Sequence, residues 1–310
     1  MAFIDDMRGK GHAVESTCDV LSEHGCRVAA RTYRAWKSCR APAARTISDA
    51  VIIDALLATR NTPESLYGRR KMTALLRRSG HEVAYCTVDR LMRAQHMNGV
   101  RRGKRVRTTV PAKDGHRAGD LLDRDFTATS PNTRWVADFT YVRSWAGFVY
   151  VAFVVDIFAQ RIVGWHAAMT KHTGLVLTCL RMATWQRDYE GRPVAAGQLL
   201  HHSDAGSQYT SLRFSEHLGL EGIAPSIGSV GDAYDNALME SIIGIYKTEC
   251  IRPGPFHAEP LRTLGDIEFA TMAWVDWYNN RRLHGSIGMV PPVEHEAARY
   301  AALQPERQPT

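Results

Sequence analysis

Three consecutive apolar segments in the middle of the chain constrain the fold more than any other feature. They are TRWVADFTYV (133–142), GFVYVAFVVD (147–156) and RIVGWHAAM (161–169), which are rich in Val, Phe, Tyr and Trp and separated by short turns. Residues of these types favour strands, and short turns join strands that run antiparallel. The pattern therefore predicts a three-stranded antiparallel meander at the start of a sheet.

Beyond the meander, helical and strand-like patterns alternate. We predict a helix near 173–190, a strand at 198–203, a helix near 211–219, a strand near 222–227 and a long helix from about Asp232 to Glu249. Such alternation is typical of a mixed sheet flanked by helices. The second half of the chain is therefore expected to belong to the α/β class.

Two pairs of amphipathic helices are predicted ahead of the sheet, each broken by a glycine. Residues 14–24 are followed by a helix from Ala30, and residues 67–80 are followed by 83–95, with Thr87 as a candidate N-cap. Each pair has the spacing of a helix-turn-helix, although a small helical bundle with a solvated basic surface fits the same pattern. The basic residues along the second pair are candidate DNA contacts: Arg69, Arg70, Arg77, Arg78, Arg90 and Arg93.

The charge is divided unevenly along the chain. Residues 1–117 contain 23 Lys and Arg against 11 Asp and Glu, whereas residues 118–310 contain 16 against 21. A basic segment of that size predicts a polyanionic partner, since neutralised phosphates release counterions and supply affinity; a merely soluble basic face is the alternative. The predicted organisation is an N-terminal helix-turn-helix-like segment (1–45), a second such domain (46–100), a basic linker (101–125), a core with C-terminal helices (126–295) and a tail (296–310).

The cysteines and the apolar runs narrow the cellular setting. The six cysteines contain no CxxC pair, so neither a zinc site nor a disulfide framework is indicated. The longest apolar run, FVYVAFVV, is far shorter than the roughly 18 residues that span a bilayer, and the acidic start is unlike a signal peptide. These features predict a cytoplasmic, nucleoid-associated protein with no membrane partner.

Three acidic residues occupy positions at which side chains converge on one edge of a sheet. Asp138 lies inside the first strand, Asp204 directly follows the strand QLLHHS, and Glu240 lies in the middle of the last predicted helix. Each acid alone could be a turn or surface residue, but an unpaired carboxylate in a buried strand such as WVADFTYV is costly. Three converging carboxylates repel one another unless a cation lies among them. Hard ions such as Mg²⁺ or Mn²⁺ prefer oxygen ligands, and a pair of them serves phosphoryl displacement.

Further residues could serve such a site. Lys247 lies seven residues after Glu240, near the same helix face, while Arg281 and Arg282 follow an aromatic helix; all three are candidate DNA contacts. A Ser/His/Asp hydrolase built from residues 202–204 is disfavoured, since neighbours on an extended chain point to opposite faces.

Several stretches together resemble one known group. They are YGRRKMTALLRRSG, WVADFTYV, HHSDAGSQYTS, SVGDAYDNALMESIIGIYKTE and WYNNRRLHGSIGMVPP, and they occur in the expected order between about Tyr33 and Glu294. They resemble the second-frame (OrfB) transposases of the IS-three family of bacterial insertion sequences, whose core resembles retroviral integrase. As in that family, thirty-five residues separate the second acid from the third, and a basic residue, Lys247, follows seven positions later.

The resemblance implies an RNase H-like catalytic core preceded by helix-turn-helix DNA-binding modules. It implies that Asp138, Asp204 and Glu240 bind the metal and catalyse Mg²⁺-dependent strand cleavage and transfer, in which a freed 3′-OH attacks a second phosphodiester. It further implies double-stranded DNA as the partner, a homo-oligomer on DNA, and room for a fusion partner encoded in an upstream frame. A nuclease without strand transfer and a non-catalytic DNA-binding regulator are the alternatives.

Overall fold

A computed structural model describes residues 1–38, 42–101, 126–204, 206–228 and 236–303. The chain divides into two compact units, Met1–Val51 and Ile52–Thr310. In the first unit, helices α1 (Ala2–Gly9), α2 (Val14–Glu23) and α3 (Ala30–Lys37) enclose Ile4, Cys18 and Tyr33. The two helices predicted in this unit are confirmed, and α1 precedes them. Most of the predicted basic linker, from residue 102 onwards, lies outside the described residues.

Three helices follow before the sheet: α4 (Ala44–Ala58), α5 (Arg69–Arg78) and α6 (Tyr85–Ala94). The predicted helix pair is confirmed as α5 and α6, and between them Gly80 adopts a left-handed conformation with φ of 87°. The predicted cap at Thr87 is wrong: Ala84 is the N-cap, and the Thr87 amide donates to the Ala84 carbonyl from within the first turn.

A single five-stranded sheet forms the centre of the second unit. Its strands are β1 (Arg134–Ser144), β2 (Gly147–Asp156), β3 (Arg161–Ala168), β4 (Leu200–Ser203) and β5 (Ala224–Ile227), arranged in the order β3-β2-β1-β4-β5. The first three strands pair antiparallel, as predicted, whereas β4 runs parallel to β1 and β5 parallel to β4. This mixed order, with helices on both faces, is the RNase H-like arrangement.

Helices cover both faces of the sheet. Helix α7 (Thr173–Tyr189) lies close against β3, where a side chain in place of Gly164 would meet the Cys179 carbonyl at 2.4 Å. Helix α7 and helix α8 (Leu212–Leu220) pack in the same hydrophobic core. The opposite core contains α9 (Ala237–Tyr246), a π-helical turn (Lys247–Ile251) and α10 (Leu264–Asn280). In the described part of the chain, no helix is long and apolar enough to cross a bilayer.

The C-terminal residues depart from the predicted tail. Helix α11 (Pro292–Leu303) continues well past 295, and Glu296 on it is completely buried. Its carboxylate accepts hydrogen bonds from Arg187 at 2.6 Å and from Arg161 at 2.9 Å. The tail prediction is thus wrong for residues 296–303, because a buried ion network fixes this helix to the core.

Candidate active site

Asp138 lies on the central strand β1, where it is half-buried. Its Oδ1 accepts a hydrogen bond from the Phe139 amide at 2.7 Å. Burial, together with the negative charges of Asp204 and Glu240, raises the pKa of Asp138 to about 7, against the opposing effects of the Phe139 amide and Lys247. The three acids predicted from the sequence therefore lie close enough to act on one another electrostatically.

The strand register explains why Asp138 and Asp204 are neighbours. Strands β1 and β4 run parallel with Ala137 opposite Ser203, the last residue of β4, and an aspartate follows each of these two residues. Neighbouring strands are about 4.8 Å apart, which places the two aspartates side by side. Asp204 is exposed, and its Oδ1 accepts a hydrogen bond from Gly206 at 3.2 Å. A Cβ at Gly206 would approach that oxygen to 2.9 Å, so glycine leaves it accessible.

Glu240 reaches the site from helix α9. The helix begins at Ala237, so Glu240 lies in its first turn rather than in the middle as predicted; residues 229–235 lie outside the described part. The N-cap residue Asn236 is buried, and its Nδ2 donates to the Ala137 carbonyl at 3.2 Å. This hydrogen bond fastens the start of the helix to the strand residue next to Asp138.

Lys247 supplies positive charge at the same edge. It follows α9 as the first residue of the π-helical turn, and its Nζ lies 5.0 Å from the centre of the Tyr141 ring. Partial enclosure lowers the pKa of Lys247, while the charge of Asp138 acts in the opposite direction. The ammonium of Lys247 therefore lies near enough to Asp138 for the two charges to act on one another.

Two buried polar groups at the site escaped the sequence reasoning. The Tyr209 hydroxyl, in the loop after Asp204, and Asn236 Oδ1 have no hydrogen-bond partner among the described residues. Burial raises the pKa of Tyr209, and the neighbouring charges of Asp138 and Asp204 add to the rise. An Asn four residues before a helical acid, and a Tyr shortly after a strand-end acid, were the available signals.

The site offers oxygen ligands in a negatively charged setting, which is the chemistry that suits a hard divalent cation. As the described side chains are placed, no group of three His, Cys, Asp or Glu is near enough together to hold a metal ion. The unpartnered oxygens of Asn236 and Tyr209 and the mutual repulsion of the acids nevertheless fit such an ion. A hydrolase triad is not formed, because His202 is buried and its Nδ1 contacts Ser226 Oγ at 2.9 Å.

The candidate DNA contacts fall into two groups. Eight are exposed: Arg69, Arg70, Arg77, Arg78, Arg90, Arg93, Lys247 and Arg281. Some of these also pair with protein groups, since Arg69 and Arg93 both contact Asp89, and Arg78 contacts Glu294 at 2.5 Å.

Arg282 differs from the other candidates, since it is only 5% exposed. Its guanidinium donates to both carboxylate oxygens of Glu249, at 2.7 and 2.8 Å. The prediction that Arg282 contacts DNA is therefore not retained: burial and the bidentate pair leave its guanidinium turned into the protein.

Comparisons with known protein families match most of the chain. The family described as Integrase core domain matches residues 128–233, a second family of the same description matches 221–292, and the HTH-like domain family matches 48–105. The transposase of insertion sequence element IS986/IS6110 from Mycobacterium tuberculosis is 48% identical over 86% of this chain and 94% of its own length. The transposase of IS629 from Shigella sonnei is also 48% identical, over 77% of this chain and 76% of its own length.

Solved structures with a similar backbone include retroviral integrases. A simian T-cell lymphotropic virus intasome matches 78% of this chain and 73% of its own, with a TM-score of 0.44 and 15% identity. The HTLV-2 integrase catalytic core, solved with magnesium, matches 54% of this chain and 98% of its own, with a TM-score of 0.39 and 15% identity.

Proposed function

The chain belongs to the IS-three family of insertion-sequence transposases, and on this premise we propose that it cuts and transfers DNA strands with Asp138, Asp204 and Glu240 as its catalytic acids. The observation that carries the proposal is that the two aspartates follow paired residues of adjacent parallel strands, with the N-cap of the Glu240 helix hydrogen-bonded to the residue before Asp138. Burial and the charges of the other two acids raise the pKa of Asp138, and perturbed acids that cluster in this way are typical of a catalytic site.

The three acids would hold Mg²⁺ or Mn²⁺, with two ions in each site. When bound, these ions supply the positive charge that neutralises the carboxylates and stabilises the attacking and leaving oxygens of the displacement. The protein contributes position: β1 and β4 fix the two aspartates, and α9 fixes Glu240. Lys247 would bind a phosphate of the DNA beside them.

The proposed reaction has two displacements at phosphorus. In the first, the oxygen of a water molecule attacks the phosphodiester, the bond to the 3′ oxygen breaks, and that oxygen takes up a proton as a free 3′-OH. In the second, the 3′-OH attacks a phosphodiester of another DNA segment and releases its proton, while the bond to that segment's own 3′ oxygen breaks. No covalent protein–DNA intermediate forms.

Binding of the DNA would extend beyond the acids. The arginines of α5 and α6 and Arg281 are exposed, and we assign them phosphate contacts that hold the element end. Bringing two element ends together requires more than one protomer, so we propose a homo-oligomer on DNA that acts at the nucleoid. The proposal leaves open a fusion partner from an upstream frame.

A strand-transfer assay tests the proposal. The purified chain is incubated with Mg²⁺ or Mn²⁺, a labelled pre-nicked element end and a target plasmid, beside the variants Glu240→Gln and Glu216→Gln. Glu216 is an exposed glutamate on α8 and serves as the matched control. Joined DNA from the wild type and Glu216→Gln but not from Glu240→Gln is expected. Nicked products without joining would favour a nuclease, and equal joining by Glu240→Gln would contradict the assigned role.

A further inference from the structure

Two exposed aromatic rings lie at the end of the β1–β2 hairpin. Tyr141 on β1 is 58% exposed and Phe148 on β2 is 50% exposed. Their ring centres are 5.4 Å apart and their planes nearly perpendicular, at 87°. We call this pair the hairpin platform. Large aromatic side chains exposed together are uncommon without a ligand, because burying them is favourable.

The platform lies on a part of β1 that has no strand on one side. Strand β4 pairs with β1 only from Arg134 to Ala137, and the described residues provide no other strand beyond that point. Asp138 is the first residue of this open stretch, and Tyr141 follows three residues later. Side chains three residues apart on a strand leave opposite faces, so a ligand at the acids reaches the platform around the open edge of β1, where Lys247 lies.

Lys247 connects the platform to the acids. Its Nζ lies 5.0 Å from the centre of the Tyr141 ring, and the same ammonium lowers the pKa of Asp138. At the hairpin turn, the guanidinium of Arg262 lies 4.9 Å from the centre of the Trp145 ring, which is 72% exposed. Rings that bind base faces, next to cations that bind phosphates, are the combination by which proteins bind single-stranded nucleic acid.

A second exposed aromatic pair lacks this setting. Trp185 and Tyr189 on α7 are 59% and 77% exposed, and their rings stack at 5.3 Å. Among the described residues, no lysine or arginine is placed over either ring, and the exposed acid Asp188 precedes Tyr189. This pair therefore provides a matched control for the hairpin platform.

We infer that the hairpin platform stacks an unpaired nucleobase of the DNA strand whose phosphate lies at the acids; this inference rests on the proposed function. Three residues of strand cover about 10 Å. Stacked nucleotides rise about 3.4 Å each, so the bound base is about three nucleotides from the reacting phosphate. The platform therefore favours element ends whose terminal base pairs have opened, and it disfavours duplex ends that remain paired.

The test uses the full chain and a DNA duplex that ends in a three-nucleotide single-stranded extension containing 2-aminopurine, a base whose fluorescence falls on stacking. Ca²⁺ replaces Mg²⁺ so that binding is measured without turnover. A blunt duplex of the same sequence is measured in parallel by fluorescence anisotropy. The variants are Tyr141→Ala, Phe148→Ala, the conservative Tyr141→Phe and the control Tyr189→Ala, each checked for folding by circular dichroism.

The wild type, Tyr141→Phe and Tyr189→Ala are expected to quench the fluorescence and to favour the extended duplex. Tyr141→Ala is expected to lose the quenching and to bind the extended duplex at least about fivefold more weakly, with blunt binding unchanged. The inference would be overturned if Tyr141→Ala weakened the binding of both duplexes equally, or if it kept the quenching. It would also be overturned if this variant lost self-association of the protein and not base stacking. Failure of the wild type to bind either duplex would instead contradict the proposed function, and the platform with it.

Discussion

Two groups of carboxylates beside the same sheet differ in the charges that surround them. At one end of β2, Asp156 and Glu296 are completely buried and both contact Arg187, with Arg161 on the far side of Glu296. Near the middle of β1, Asp138 has two further carboxylates as neighbours, and within the described part of the chain the Phe139 amide and the charge of Lys247 act against them. The first group is neutralised by guanidinium contacts, whereas Asp138 keeps two acids near it whose charges add to the burial that raises its pKa.

The difference separates a structural role from a chemical one. Buried ions are tolerated when partners with good geometry satisfy them, and the Asp156–Glu296 group meets that condition through guanidinium contacts between 2.6 and 3.0 Å. An excess of like charge in a fixed frame is costly, and it is retained where a cation or a substrate completes the site. We therefore expect substitutions in the two groups to affect different properties.

The largest expected effect is on catalysis. Asp204→Asn keeps the shape of the side chain but removes one negative charge from the site. We expect joined DNA to fall by more than about a thousandfold, while binding to end DNA stays within a few-fold. The measurement is the strand-transfer assay beside filter binding, with the exposed Asp188→Asn as control. Loss of binding in step with joining would indicate a structural role for Asp204.

The next largest effect is on stability. Arg187→Met leaves Asp156 and Glu296 buried without their shared cation, and breaking such a group costs about 3–5 kcal/mol. Urea denaturation measures the free energy of unfolding. Arg181→Met, on the exposed side of the same helix, is the control. If the two variants were equally stable, the ion network would contribute nothing and the contrast between the two groups would fail.

A smaller effect concerns pH in the absence of metal. The pKa of Asp138 is raised to about 7, mainly by burial, against about 3.9 in an unfolded chain. The folded state therefore holds the proton more tightly, and its stability declines as pH rises from about 4 to about 7 and stays lower above that. Asp138→Asn should remove up to a few kcal/mol of this decline, measured by urea denaturation in EDTA at pH 5 and pH 8. An unchanged decline in the variant would contradict the raised pKa.

The smallest effect is expected at Arg78, an exposed arginine whose partner is also exposed. Arg78 pairs with Glu294, and both side chains are well exposed. Arg78→Ala should change the free energy of unfolding by at most about 1 kcal/mol. If Arg78 also contacts a phosphate, the logarithmic salt dependence of DNA binding should decrease by about 0.9. Arg70→Ala, at an exposed arginine about two turns earlier on the same helix that we also assign a phosphate contact, is the comparison. A salt slope of Arg78→Ala equal to that of the wild type would remove Arg78 from the DNA surface.

The same contrast explains which features could be predicted from the sequence. The meander and the placement of Asp138 and Asp204 depend on local patterns: runs of strand-forming residues, turns, and acids at strand ends. The paired groups depend on residues far apart, as Arg187 and Glu296 are 109 positions apart. No local pattern indicates such a pair, so α11 was predicted as a tail.

The burial of Arg282 and the start of the helix of Glu240 could not be predicted from local sequence patterns either. The burial of Arg282 is set by Glu249, 33 residues earlier, and an Arg-Arg sequence gives no sign of which member turns inward. The helix of Glu240 begins later than its apolar pattern suggests, because Asn236 bonds to β1. Local patterns thus predicted the elements and the acids, while contacts between distant segments decided helix ends and buried charges.

The central claim is that Asp138, Asp204 and Glu240 together form a site that binds a divalent cation. The most direct measurement is thermal unfolding of the full chain at pH 8 with increasing Mn²⁺ or Mg²⁺, compared with an Asp138→Asn, Asp204→Asn double variant. The wild type should be stabilised by about 1.4 kcal/mol at ten times the dissociation constant, and more at pH 8 than at pH 6, whereas the double variant should show no such gain. Equal stabilisation of both proteins, or none of the wild type at saturating Mn²⁺, would contradict the account.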